Sequence, residues 1–443
     1  MKQIKDWLES HHISEVEALM PDLSGVARGK VMPAQKYCQD GGMRLPEALV
    51  LQTITGSYPE DWRAVHPSDR DMWARGDAST LRMVPWAKEP TAQIIHDCFH
   101  ADGSAVEATP RQVLRRVLAA YEQRGWTPVV APELEFFLVK PNLDPDTRLE
   151  PPIGRSGRAE IGRQAYGIDA LNEFDPIIED IYNYCQAQQI ELDAVIHESG
   201  AAQLEFNLEH GDALELADQA FLIKRTVREA AMRRDMYATF MAKPMEDEPG
   251  SAMHLHQSVI DADGNNIFAN PDGSYTKLFL SHIAGLQQYL PSAMSLLAPN
   301  VNSYRRITRD RGAPINVQWG YDNRTAGLRV PDDVRDSMRV ENRVAGADAN
   351  PYLAIAASLA CGYLGMTKEL EPSAPIDGDA YDMPFALPRS LEQSLGLLLE
   401  CTELREMLGE NFVLAFHSVK EQEFEAFLKV ISSWEREFLL LNV

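Results

Sequence analysis

A chain of 443 residues, 45% of them hydrophobic, is long enough for a large core and for two domains. With 66 Asp and Glu against 42 Lys and Arg it carries a net charge of −24, which argues against nucleic acid or an anionic membrane as a partner. The five cysteines (Cys38, Cys98, Cys185, Cys361, Cys401) form no Cys-x-x-Cys pair, so no zinc ribbon or disulfide framework is expected, and the chain reads as cytoplasmic.

Residues 1–20, with charges at Lys2, Lys5, Asp6, Glu9, Glu15 and Glu17, read as an amphipathic helix and lack the apolar core of a signal peptide. Leu19 to Pro33 reads as two strands joined by a tight turn, and residues 56–85 as loops with short strands. A domain boundary falls near Thr109, with a small α+β domain before it. Thr109-Pro110 opens a helix, with Thr109 as N-cap, and Gly125 ends it. A strand follows from Pro128 to Val139. Residues 146–163 form a loop, 175–189 a helix, and 194–208 two strands around the turn Ser199-Gly200-Ala201-Ala202. Asp212 caps a helix expected to run to Tyr237. Gly250 to Ser258 is a strand carrying His254 and His256, and Asp261-Ala262-Asp263-Gly264-Asn265 a hairpin turn. Ser281 to Leu297 is helical. Pro351 to Thr367 is too short and too rich in Ala, Ser and Gly to span a membrane and reads as a buried helix, placed at a subunit contact.

Three constellations carry chemistry. His254 and His256 alternate with apolar residues, so on a strand both point to one face, where imidazoles can ligate a metal or hold a nucleotide. Glu133 and Glu135 alternate on another strand inside apolar surroundings, and Glu198 and Glu205 bracket a turn. Each pattern alone is better explained by satisfied histidines or a solvated sheet face. Several glutamates on one buried face, however, repel each other unless cations intervene, and such an oxygen-rich set suits Mg²⁺ or Mn²⁺. Between 305 and 343 stand nine arginines (305, 306, 309, 311, 324, 329, 335, 339, 343) and no lysine. Arginine forks match phosphate and carboxylate. Some of them, notably Arg335, can instead pair with Asp310, Asp332, Asp333 and Asp336. A carboxylate face beside an arginine cluster reads as phosphoryl transfer, and the chain has neither a P-loop nor a kinase Asp-Phe-Gly.

Over nearly its whole length the chain resembles the glutamine synthetase superfamily. The resemblance rests on Pro132-Glu133-Leu134-Glu135-Phe136-Phe137-Leu138, Glu198 to Glu205, Gly250 to Ser258, Asn302-Ser303-Tyr304-Arg305-Arg306, Asn323 to Pro331, Arg339-Val340-Glu341-Asn342-Arg343 and Ala349-Asn350-Pro351, in that order. It implies an α+β fold: a small N-terminal β-grasp domain (1–108) and a large catalytic α+β domain (109–443). It implies one divalent ion on Glu135, Glu198 and Glu205 and a second on Glu133, His254 and Glu341. It places ATP on His256, Ser258, Arg329 and Arg339, and glutamate on Gly250, Arg306 and Arg343. Arg324 would stabilise the transferred phosphoryl group. The implied reaction is phosphorylation of the glutamate γ-carboxylate by ATP, then attack by an amine, in a homo-oligomer of stacked six-membered rings.

The departures bear on the amine. Family members that use ammonium bind it with a Glu in a loop here reading Thr308-Arg309-Asp310-Arg311-Gly312-Ala313-Pro314, where Gly312 takes its place. Thr55, in Thr55-Gly56-Ser57, stands for a second acidic ligand, and Pro249 for an Asn. The expected co-substrate is therefore a larger primary amine, putrescine or another polyamine, as in the γ-glutamylpolyamine synthetases of this superfamily. The alternatives are an ammonium-using enzyme with a displaced base and a non-catalytic ring-forming homologue. Tyr381 sits where some members carry a modified tyrosine, and its different flanks read as a surface loop.

Overall fold

A computed structural model describes residues 1–61, 63–309, 312–331 and 337–443. Asp310, Arg311, Asp332, Asp333, Arg335 and Asp336, and with them the ion pairs expected of Arg335, lie outside the described residues.

The first helix stops at Ser10, well short of Met20, and buries only Ile4 and Leu8. Beyond Ile13 the apolar residues alternate: Val16, Ala18 and Met20 are buried, a period of two that suits the strand β1 (Glu15–Pro21). Its partner β2 (Ala27–Pro33) returns through a turn held by Asp22, whose carboxylate accepts from Ser24 N (2.9 Å), Val26 N (2.8 Å) and Arg28 Nε (2.8 Å). Next come β3 (Met43–Pro46), β4 (Asp71–Gly76), β5 (Arg82–Met83) and β6 (Thr91–Phe99). Among the described residues they form a six-stranded sheet, β2-β1-β6-β4-β3 with β5 on β6, in which β1 and β6 are parallel. This is the N-terminal α+β piece expected from the sequence.

The second sheet has nine strands among the described residues: β7 (Thr127–Val139), β8 (Leu192–His197), β9 (Gln203–Leu208), β10 (Gly211–Asp212), β11 (Tyr237–Thr239), β12 (Met253–Ile260), β13 (Trp319–Tyr321), β14 (Leu328–Val330) and β15 (Val340–Asn342). Their order is β13-β14-β15-β12-β7-β9-β8, with β10 and β11 also on β7. Long helices pack on it. Pro110–Glu122 begins where expected, but Thr109 does not cap it. Its hydroxyl donates to Val106 O (2.9 Å) instead. Ala213–Met232 is capped by Asp212 as expected, and ends before Tyr237, which opens β11.

Pro351–Thr367 is buried within the chain itself, against Lys277–Leu297. Glycines permit that contact: a Cβ at Gly285 would stand 2.2 Å from Cys361 O, and one at Gly365 2.1 Å from Ser281 O. No described helix is long and apolar enough to cross a membrane.

One buried arginine joins the two sheets' layers. Arg111 donates from Nε and Nη2 to Asp218 (3.0 and 2.9 Å), from Nη1 to Asp97 (2.7 Å) and from Nη2 to Asp77 (2.8 Å). Tyr352 Oη completes the set by donating to Asp218 (2.7 Å). At the other end of the chain, the helix Ser433–Leu439 buries nothing, and Trp434, Phe438, Leu440 and Leu441 are exposed.

Candidate active site

Strand register decides which side chains meet. His254 on β12 lies opposite Glu133 on β7. Glu135 on β7 lies opposite Glu205 on β9, and His256 on β12 opposite Glu341 on β15. Because residues two apart share a face, the four strands project these side chains into one patch. Glu198 enters from the end of β8, across a turn closed by Ala202 in the left-handed region (φ 57°).

Among the described residues three groups result that could hold a metal ion, each with its donor atoms within 4.8 Å of one another: Glu135 with Glu198 and Glu205, Glu133 with Glu205 and His254, and Glu133 with His256 and Glu341. The first is the expected set. The expected second set, Glu133, His254 and Glu341, is not one of the three groups; its members are divided between the other two, with His254 Nδ1 3.2 Å from Glu133 and 3.7 Å from Glu341. His256, expected to serve only the nucleotide, joins Glu133 and Glu341: its Nε2 is 3.0 Å from Glu133.

The two ends of the patch differ electrostatically. Burial would raise the pKa of Glu133, but hydrogen bonds and charge from His254 and His256 outweigh it and hold the carboxyl below its usual range. Glu341 is likewise buried, yet Arg343 and the two histidines keep it at about 2. At the other end, burial and then the charge of Glu198 push Glu135 up to about 8. Burial and the charges of Glu135, Glu133 and Glu198 raise Glu205 well above the ordinary carboxylate value. Charge is thus compensated around Glu341 and uncompensated around Glu135, Glu198 and Glu205. A close, buried carboxylate trio of this kind fits a hard divalent cation.

The arginines line two sides. A cleft of about 500 Å³ over β7 and β12 is walled by Glu133, His256, Ser258, Arg329 and Arg339. All four residues expected at the nucleotide therefore share one cleft. Arg329 bridges Glu341 (2.9 Å) and Asp322 (2.7 Å), and Arg339 Nε donates to His256 Nδ1 (3.1 Å). At the opposite end Arg306 is buried, donating to Val344 O (2.8 Å) and Arg343 O (3.1 Å), while Arg343 pairs with Glu341. The Nε atoms of Arg306, Arg329 and Arg343 are buried without a hydrogen-bond partner. Arg306 packs on Gly250: a Cβ there would lie 2.6 Å from Arg306 Cγ. Gly312 is beside the same amide. Among the described residues, the one heavy atom within 4 Å of a Cβ at Gly312 is Gly250 N, at 3.8 Å. Arg324 stands exposed on the turn before β14, with no ion pair to the patch among the described residues.

Some residues of the site escaped the sequence reading. Gln203 Nε2 donates to Gly250 O (2.9 Å) and Ser251 Oγ (3.2 Å), tying the glutamate end to the metal end. It lies inside the Glu198–Glu205 motif, two residues from a ligand, which was the available signal. Glu160, from the loop 146–163, accepts from Ala202 N (2.7 Å) and pairs with His197 (3.0 Å), bracing the turn that presents Glu198. Tyr381 is corrected: far from being a surface residue it is 8% exposed, and its hydroxyl donates to Ala313 O (2.8 Å). Arg309 donates to Tyr381 O in return. The loop carrying Gly312 is thereby fastened to residues 380–387. Thr55 lies on an exposed turn of three mutually bonded hydroxyls, Thr53, Thr55 and Ser57 (2.8–3.1 Å), anchored by Ile54 N to Glu423.

A sheet floor of carboxylates and imidazoles, a cleft at one end and the buried Arg306 with Arg343 at the other define a phosphoryl-transfer ligase site. Residues 107–439 match the family model of the glutamine synthetase catalytic domain. The γ-glutamylputrescine synthetase PuuA of Escherichia coli (strain K12) is 36% identical, covering all of this chain and 95% of the relative. A glutamate–isopropylamine ligase of Pseudomonas sp. is 32% identical over 98% of this chain and 96% of its own. The solved structure of apo GmaS without ligand superposes with a TM-score of 0.85 at 27% identity, covering both chains in full. The chain belongs to the glutamine synthetase family and is a glutamate–amine ligase of that family, whose members use ATP and divalent metal ions.

Proposed function

We propose that this chain joins the γ-carboxylate of glutamate to a primary amine, putrescine or another polyamine, through γ-glutamyl phosphate. The observation that carries the reading is Gly312: beside the Gly250 amide, where ammonium-using relatives would place a carboxylate, there is no side chain, and among the described residues only Gly250 N, at 3.8 Å, comes within 4 Å of where a Cβ would stand. Relatives named for putrescine and isopropylamine support it. We place the division between the N-terminal and catalytic units at 108/109, and the enzyme in the cytoplasm.

In this reading Arg306 and Arg343 hold the glutamate α-carboxylate, and Gly250 its amino group through the backbone. His256, Ser258, Arg329 and Arg339 hold the nucleotide. Glu135, Glu198 and Glu205 hold one divalent ion, and Glu133, His254 and Glu341 the other. When bound, Mg²⁺ or Mn²⁺ neutralises phosphate oxygens. The γ-carboxylate oxygen attacks the terminal phosphorus of ATP, and the bond to ADP breaks. Arg324, on its exposed turn, swings onto the transferred phosphoryl group. The amine nitrogen then attacks the acyl carbon, its proton leaves, and the C–O bond to phosphate breaks.

Phosphate release with ATP, Mg²⁺ and glutamate should be fastest with putrescine or spermidine when these are compared with ethanolamine, benzylamine and ammonium. Equal or better turnover with ammonium would overturn the reading in favour of an ordinary glutamine synthetase. No turnover with any amine would make the chain a non-catalytic homologue. Gly312→Glu should restore a carboxylate for a small cation. The kcat/KM for ammonium relative to putrescine should rise by about 10–100-fold, the worth of one charge-assisted hydrogen bond.

We further propose a homo-oligomer of stacked six-membered rings. The exposed apolar surface of residues 427–443 supports association between copies. Truncation after Lys429 should lower the mass seen by sedimentation. An unchanged mass would remove the tail from the assembly.

A further inference from the structure

A cavity of about 530 Å³ lies between the turn joining β1 to β2 and the helix Ala213–Met232. Four cations stand on its wall. Two are neutralised: Arg225 pairs with Glu17 (2.6 Å) and Lys420 with Glu423 (2.7 Å). The other two, Lys224 and Arg228, meet no carboxylate within 4.0 Å among the described residues. Lys224 is buried, donates to Ala349 O (2.7 Å), and is pushed down by that burial to about 7. Arg228 also lines the cavity; the residue as a whole is exposed, while burial of its guanidinium pulls its pKa down. Phe240 lies under both, 5.6 Å from Lys224 Nζ and 5.1 Å from Arg228 Cζ.

A desolvated ammonium is costly without a counter-ion. Asp348 stands on the same wall and acts on Lys224, but only from beyond ion-pair distance. In a chain with 24 more acids than bases, two cations of one cavity without a direct carboxylate partner among the described residues are a departure from the surrounding composition. We propose that this cavity binds a small anion presenting phosphate or carboxylate oxygens, held by Lys224 and Arg228. It is separate from the metal patch, although Asp348 on its wall accepts from Ser303 Oγ (2.6 Å), in the turn that leads to Arg306.

The test is calorimetric titration of the full-length protein, free of metal and nucleotide, with sodium sulfate and separately with sodium succinate at constant ionic strength. Sulfate stands for phosphate-type oxygens and succinate for carboxylates. At least one should bind once per chain. Arg228→Gln, a change at an exposed side chain, should weaken that binding about tenfold or more, the loss of one charge-assisted contact. Lys224→Met should do the same where it folds. Arg343→Gln, in the active site, should leave the binding in place. The proposal is overturned by no binding of either anion, or by an affinity that Arg228→Gln leaves unchanged. It is equally overturned if Arg343→Gln abolishes the binding, or if Arg228→Gln changes the sedimentation of the assembly, since a neighbouring copy's carboxylate would then be the occupant.

Discussion

Exchanging Glu205 for glutamine should lower turnover on the order of 10³-fold while making the metal-free protein harder to unfold. Both effects have one cause. Glu205 is 5% exposed, and burial and four neighbouring glutamates disfavour its charge. Above the ordinary carboxylate range the folded protein must therefore hold either a proton or a charge that the unfolded chain bears more easily, a destabilising contribution near neutral pH. Glutamine removes that charge and keeps the shape, and should stabilise the metal-free protein by about 1–2 kcal/mol. It also removes a ligand from two of the three ligand groups, and a bound cation is worth several kcal/mol to phosphoryl transfer. Denaturant titration in EDTA and initial rates at saturating Mg²⁺ read the two effects separately. A variant less stable than wild type in EDTA would sink the electrostatic account of the site.

Replacing Arg111 with methionine should cost about 3–5 kcal/mol of stability, because it strands Asp218 and Asp97 in the interior. The penalty should also depend on acidity. Burial alone would raise the pKa of Asp77, but its hydrogen bonds from Arg111 and Ser79 hold it at about 2, against an ordinary 3.8. A lowered carboxylate contributes fully above the unfolded value and loses its contribution as pH falls through the folded one. The gap between wild type and R111M should therefore narrow between pH 4 and pH 2. Arg111→Lys should recover part of the loss, since one ammonium cannot reproduce a fork shared by three carboxylates. Urea titrations across that range measure all three proteins. A gap under 1 kcal/mol at pH 7 would contradict the role assigned to Arg111.

What was legible in the chain was local periodicity. Glu133 with Glu135, and His254 with His256, announce a shared face because two-residue spacing is a property of strands. Which strand lies beside which is not a local property, so the pairing of Glu133 with His254 and of Glu135 with Glu205 came only with the sheet. The same holds for Arg111, whose three acids arrive from positions 77, 97 and 218. The first helix was drawn too long because Lys and Glu spaced through residues 1–20 satisfy either period, and the burial of Val16, Ala18 and Met20 decided for the strand. Tyr381 was misread because its neighbours Asp379, Asp382 and Pro384 are typical of surface turns. Its burial depends on Ala313, 68 residues away.

The register of the second sheet also sets a timetable. Its candidate metal ligands come from β7, β9, β12, β15 and the turn after β8, spread from Glu133 to Glu341, and no two neighbouring strands by themselves hold a complete set of the Glu135, Glu198 and Glu205 type. The loops between them must close before the cation finds its partners, and closing distant segments is the slow part of building such sheets. During refolding, tight Mn²⁺ uptake should appear with the last kinetic phase and none before it. The cofactor then acts as an inspector of the finished sheet, and chains that have mispaired a strand are left without it.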